Sequence, residues 1–222
     1  GRHVIAGGVL GVVRPERLCV DVRLAEEGVD AIASEQQYSF HHAVVRDVAY
    51  SSIPRVERSG KHRQAAEWIE SLGRREDHAE TIAHHYLSAL EFARASGQPT
   101  EAFAERARDA LRAAGERALA LNSPGGAARF FSEALDLTAE DDPEWPDLLL
   151  LDAKSLYRTG HPDEELLEKA RRAFLESGDL EQAAECQTIL GDVSWRRGDR
   201  DAAFEQLEQA IAGLAEPSHA RA

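Results

Sequence analysis

Histidine has the widest chemical reach of any side chain in this sequence, because a neutral imidazole ligates metals and titrates near neutrality. Nine are present, and four of them stand in adjacent pairs, His41-His42 and His84-His85. Neighbours on a helix diverge by about 100°, so neither pair can readily chelate one ion, and no H-E-x-x-H spacing occurs. Each pair predicts one packed ring and one exposed ring. His161 and Glu165 are four apart but straddle an expected turn. Carboxylates abound, yet groups such as Glu164-Glu165-Glu168 and Asp141-Asp142 have the spacing of a solvated helix face. No G-x-S-x-G elbow or locally supported cysteine–histidine pair supplies a nucleophile. The only Gly-Lys pair, Gly60-Lys61, is followed by His62 and has Arg55 where the first glycine of a phosphate-binding loop would stand. The chain is therefore expected to carry no catalytic residue, no metal ligand and no cofactor of its own.

The elements that carry these residues are expected to be helices. Alanine, leucine, glutamate and arginine dominate, whereas aromatic residues make up 6% and prolines number eight. Leu111, Ala114, Gly115 and Ala118 are followed by Ala127, Phe131 and Ala134. The same grid fits Leu190, Gly191, Ala203, Leu207 and Ala210, and the two glycines lie two periods of about 38 residues apart. Breakers at Ser123-Pro124-Gly125-Gly126, Asp142-Pro143, Gly160-His161-Pro162, Gly178-Asp179 and Gly198-Asp199 divide the region into three hairpins. These are 100–121 with 123–138, 144–159 with 162–176, and 179–197 with 199–214. The middle hairpin fits the grid least well. Small residues where helices cross let the backbones approach while Phe131 or Leu207 fills the adjoining space. The pattern resembles a tetratricopeptide repeat (TPR), which implies an all-α, TPR-like solenoid that offers a surface to other proteins.

Ahead of the repeats the pattern is weaker. Val9–Val13 and Leu18–Leu24 read as short strands or one irregular helix, Glu26–Glu35 as turn or weak helix, and Tyr38-Ser39-Phe40 as a short strand. His41 to Tyr50 places Val44, Val45, Val48 and Ala49 at helical intervals. Pro54 fits the first turn of a helix that would bury Val56, Ala65, Trp68, Ile69 and Leu72. Asp77 could cap the next helix, whose Ile82, Ala83, Tyr86, Leu90 and Ala93 form one stripe ending at Gly97. The expected domains are a small winged-helix-like remnant over 1–53, a linking hairpin over 54–99 and the repeats over 100–222.

One stretch points to a family. Phe40-His41-His42-Ala43-Val44-Val45-Arg46-Asp47-Val48-Ala49-Tyr50, then Ser52, then Lys61 to Glu70, with Ala83-His84-His85-Tyr86 further on, resembles a junction in the bacterial STAND signal-transduction ATPases. These include predicted ATPases attached to class III adenylate cyclases and MalT-like and LuxR-type regulators, in which an ATPase core and a winged helix lead into TPR-like repeats. The phrase also parallels the Met-His-Asp motif of the related NB-ARC switch proteins. On that resemblance His42 matches the histidine that contacts the β-phosphate of bound ADP, with His41 in place of the methionine and Ala43 in place of the acidic residue. The resemblance implies ATP or ADP in a parent protein, and a role for this chain as its carboxy-terminal sensor arm. An imidazole N–H near a helix start can donate to a phosphate there. The plainer reading makes His42 a half-buried ring bonded to a carbonyl.

Charge narrows the partners. The net charge of −14 disfavours nucleic acid and acidic membranes. Residues 41–75 carry seven Lys/Arg against four Asp/Glu, while residues 133–185 carry five against sixteen, so the two regions suit different partners or the acidic face serves solubility. Cys19 and Cys186 make no disulfide framework, and the apolar run from Val4 to Val13 is too short to span a bilayer, which predicts a cytoplasmic protein. Trp68, Trp145 and Trp195 are expected to fill the core or the contacts between repeats. A protein or peptide partner, or a small effector, is the expected ligand. The alternative is a freestanding TPR scaffold that docks peptides with no nucleotide link.

Overall fold

The computed structural model describes residues 2–6, 9–13, 22–24, 38–40, 43–73 and 75–215. The fold is built of α-helical hairpins, and among the described residues strands are confined to two short ribbons near the amino terminus. The chain divides into two compact units, residues 1–117 and 118–222.

In the first unit β1 (Arg2–Ala6) pairs antiparallel with β2 (Val9–Val13), Arg2 facing Val13 and Ala6 facing Val9. Strand β3 (Val22–Leu24) pairs antiparallel with β4 (Tyr38–Phe40), as expected for Tyr38-Ser39-Phe40. The part of Leu18–Leu24 before Val22 and the expected Glu26–Glu35 turn lie outside the described residues.

Three helices follow: α1 (Ala43–Ser51), α2 (Arg55–Ser71) and, after a 3-10 turn at Arg75–His78, α3 (Ala79–Ala95). Helices α2 and α3 form the main hairpin of this unit. From α2, Ser59, His62, Ala65, Ala66 and Ile69 turn inward; from α3, Ile82, Ala83, His85, Tyr86, Ala89, Leu90 and Ala93 do so. Ser59 Oγ donates to the Ala89 carbonyl at 2.9 Å, a hydroxyl satisfied inside an interface that alanines keep close.

Three local expectations, on Val56, Pro54 and Asp77, need correction. Val56 is exposed, because it lies in the first turn of α2, ahead of the stretch from Ser59 to Ile69 that carries the buried residues. Val44 and Val48 lie on helix α1, as their helical spacing predicts, and both are exposed, while α1 engages α2 through Tyr50. Pro54 stands just before the helix, with an extended ψ of 145°, and its carbonyl accepts the Arg58 N–H at 3.0 Å. Asp77 does not cap α3, since it lies within the 3-10 turn and pairs with Arg117 at 3.2 Å.

Helix α4 (Glu101–Ala120) carries buried Ala107, Leu111, Ala114 and Ala118 on one face. The division between the units falls near its end.

The second unit continues with α5 (Pro124–Leu135), α6 (Trp145–Arg158), α7 (Glu164–Ser177), α8 (Leu180–Arg197) and α9 (Arg200–Ala215), each packed on the next. The expected helix boundaries are met within a few residues. Trp145, Leu149 and Leu150 of α6 join Ala170 and Phe174 of α7 and Ala183 and Cys186 of α8 in one core cluster. Ala153, Leu167 and Leu190 form a second. The repeat logic is clearest at Gly191 of α8: a Cβ there would stand 3.2 Å from Leu207 Cγ and 3.4 Å from the Ala203 carbonyl of α9. Ala127, Ala203, Phe131, Ala134 and Ala210 are buried, as the small-residue grid requires.

Two short connections show how hairpins of this length are terminated. Gly178 and Gly198 take φ of +80° and +87°, values that cost an L side chain, and so end α7 and α8. The aspartates that follow cap the next helix: Asp179 Oδ1 accepts the Gln182 N–H and Asp199 Oδ1 the Ala202 N–H, each at 3.1 Å. The Gly-Asp pair thus closes one helix and opens another.

Candidate functional site

Among the described residues, each unit has a place where several polar side chains from different helices meet. In the second unit the first helices of successive hairpins, α6 and α8, are tied across by side chains alone. Lys154 Nζ bonds Glu185 at 2.6 Å. Tyr157 Oη donates to Asp192 at 2.6 Å and accepts from Arg196 Nη2 at 2.7 Å, while Arg196 Nε also pairs with Asp192 at 2.5 Å. The Arg196 guanidinium lies over the Tyr157 ring, 4.9 Å from its centroid. The bond to Asp192 raises the Tyr157 pKa, so the phenol stays a donor.

A cavity of about 300 Å³ opens beside this triad, lined by Tyr157, Gly160, Pro162, Val193, Arg196 and Arg197. Arg197 pairs with Glu164 at the start of α7. That volume is at the lower end of the range for small-ligand pockets. The wall combines an apolar floor with guanidinium and phenol groups, which suits a peptide side chain or a small polar effector.

The other polar cluster is buried in the α2/α3 hairpin. Tyr50 Oη and His62 Nε2 are 2.8 Å apart, and His62 Nδ1 faces His85 Nδ1 at 3.0 Å. Phe92 stacks on the His62 ring, and Arg58 sits over both Tyr50 and Phe92. Both imidazoles are 2% exposed. Burial, reinforced by neighbouring cations and imidazoles, lowers His62 to about 4 and His85 to about 3, so each is neutral at pH 7. His84 is exposed, so the pair His84-His85 divides into one solvated and one packed ring, as its adjacency predicts.

His42, the expected phosphate contact, lies outside the described residues, as does His41. The nearest described members of the same phrase are Arg46 and Asp47, which pair with each other at 2.8 Å on the exposed side of α1. Trp145 belongs to the core, Trp68 is half-buried, and Trp195 is exposed, contrary to the expectation that all three fill contacts.

The carboxylates also yield one exception to the solvated-face reading. Asp152 is buried on α6, at 6% exposure, and desolvation with a contribution from Asp163 raises it to about 6. Buried Cys186 is a free thiol raised to about 12 by desolvation, which makes it a poor nucleophile. Among the described residues no group of three His, Cys, Asp or Glu side chains is arranged to hold a metal ion, and no helix is long and apolar enough to cross a membrane.

The sequence missed the His62–His85 contact because it joins residues 23 positions apart. One signal was available: His62 falls on the face of Ser59, Ala66 and Ile69, at the helical spacing of a buried stripe. No protein-family model matches the chain, and no curated protein is similar to it.

Proposed function

We propose that this chain is a non-catalytic helical-repeat regulatory region that binds a protein or peptide segment, or a small effector, within a cytoplasmic STAND-type signalling or transcription-regulating protein. The observation that carries the reading is the α6–α8 face. There Lys154–Glu185 and Tyr157–Asp192–Arg196 hold two successive hairpins in register beside an open cavity. Repeat arrays commonly display ligands across such a multi-repeat surface. Side chains already fixed by mutual bonds lose little entropy when a partner docks.

In this reading nucleotide is held by the parent protein, where His42 contacts the β-phosphate of ADP and the junction around α1 and α2 passes occupancy of the repeats to the nucleotide switch. The acidic surface argues against direct contact with nucleic acid or an anionic membrane.

The test uses the full-length gene product. ADP retention is measured with His42 intact and with His42→Ala, and again with Arg196→Ala in the repeat face. Weaker ADP retention in His42→Ala supports the nucleotide link. Unchanged retention removes it and favours the freestanding scaffold. A dependence of retention on effector that Arg196→Ala abolishes supports the regulatory coupling.

A further inference from the structure

The last described helix, α9, carries an apolar face that its own hairpin covers only along one edge, at Leu207. Phe204, Leu207, Ile211 and Leu214 fall at i, i+3, i+7 and i+10, and all are between 38% and 69% exposed. Trp195 of α8, itself 52% exposed, extends this stripe by meeting Phe204 edge-on with ring centroids 6.3 Å apart. At about 150–250 Å² per large side chain, half-exposed residues of this kind make a patch on the order of 500 Å². Scattered apolar residues need no explanation, but a contiguous stripe at helical spacing does.

We propose that this stripe is the docking site of a cationic amphipathic helix from a protein partner. The face of α9 adjoining the stripe is already engaged: Ala203 and Ala210 are buried, Leu207 reaches over Gly191 of α8, and Gln187 of α8 donates to both Gln206 and Gln209. The helix is thus held in place with its apolar stripe outward, and docking needs no rearrangement of the hairpin. Asp201, Glu205 and Glu208 are exposed on the same helix, while its single cation, Arg200, lies over the Trp195 ring at 5.5 Å.

Charge favours this occupant over a second copy of the chain. Residues 118–222 carry ten Lys/Arg against twenty-two Asp/Glu, so self-association would bring two acidic units together. The patch is also smaller than the roughly 800 Å² per partner of a stable interface, but it suits one helix laid along another. Lys or Arg beside the partner's apolar stripe would meet Glu205 and Glu208, giving attraction that weakens with salt.

The test titrates the 222-residue chain with three synthetic peptides: an amphipathic Leu/Lys helix, a Leu/Glu helix with the same apolar face, and a scrambled Leu/Lys sequence. The Leu/Lys helix is expected to bind about tenfold or more tighter than the other two, a difference of about 1.4 kcal/mol or more. Phe204→Ser/Ile211→Ser should remove that binding without changing the circular dichroism or Tm, since both side chains are exposed. Glu205→Lys/Glu208→Lys should shift the preference toward the Leu/Glu helix. Equal binding of the two charged helices, or binding that survives the paired serine substitutions, would overturn the proposal. So would concentration-dependent dimerisation that those serines abolish, because the patch would then serve a second copy.

Discussion

His62 and His85 meet nitrogen to nitrogen, Nδ1 to Nδ1 at 3.0 Å, inside the α2/α3 hairpin. Only one of the two nitrogens can carry the shared proton, and if both rings were charged two N–H donors would face each other in a buried site. Both folded-state pKa values lie below the ordinary 6.5, because burial disfavours the cations. The unfolded chain therefore binds more protons below pH 6.5, and stability falls as pH falls from 6.5 toward 4. Each ring contributes about 2 kcal/mol of loss between pH 6.5 and pH 5. Urea midpoints followed by Trp68 emission, with Trp145→Phe and Trp195→Phe to silence the second unit, should show this slope. His62→Phe/His85→Phe should flatten it, and a slope that persists would place the acid sensitivity elsewhere.

Asp152 produces the opposite pH dependence in the other unit. Its pKa is raised by desolvation to about 6 from an ordinary 3.8, so its contribution to stability is fully present below pH 3.8 and is lost as pH rises through 6. Asp152→Asn removes the buried charge while nearly preserving shape. It should stabilise the second unit by about 1–3 kcal/mol at pH 7 and have little effect at pH 4. Urea unfolding at the two pH values, read by Trp145 emission, tests this. An Asn variant no more stable at pH 7 than at pH 4, relative to the parent, would contradict the assignment.

The Gly-Asp connections should be individually weak and jointly important. Removing the cap in Asp179→Ala costs about 1 kcal/mol, because the Gln182 N–H loses its acceptor. Gly198→Ala costs on the order of 1 kcal/mol, because its φ of +87° is unfavourable for a side chain. The two sites cap opposite ends of the 18-residue helix α8 and share no partner, so the double variant should show near-additive losses in thermal or urea unfolding. A loss far above the sum would mean that α8 unfolds as one unit once both ends are weakened.

These turns also show what the sequence makes legible. Gly178-Asp179 and Gly198-Asp199 are local signals, because the glycine φ and the aspartate cap act within a few residues, and the helices they bound appear where expected. The burial of Ala127, Ala203 and Phe131 follows similarly from periodicity. The internal polar groups follow less directly. Asp152 lies at the end of a Leu148–Leu151 run and would be solvated on an isolated helix; neighbouring helices make it buried. His62 needs the crossing of α2 and α3 to find its partner. Val44 and Val48 have core-like spacing but lie on a face of α1 left exposed. Periodicity identifies an apolar face, whereas tertiary packing decides whether that face is covered.

The crossing of α8 and α9 offers a test of that packing in which two effects oppose each other. At Gly191 an added methyl would stand 3.2 Å from Leu207 Cγ and 3.4 Å from the Ala203 carbonyl, tighter than ordinary contact. Alanine gains about 1 kcal/mol of helix propensity over glycine, and Leu207 is partly exposed and able to shift, so Gly191→Ala should lie within about 1 kcal/mol of the parent. Ala203 has no such outlet: it is fully buried and its own carbonyl forms part of the contact. Ala203→Leu should therefore overpack the crossing and cost about 1–3 kcal/mol. Urea unfolding of the two variants should rank them in that order. If Ala203→Leu were tolerated as well as Gly191→Ala, small side chains would not be what sets the distance between the helices of this hairpin.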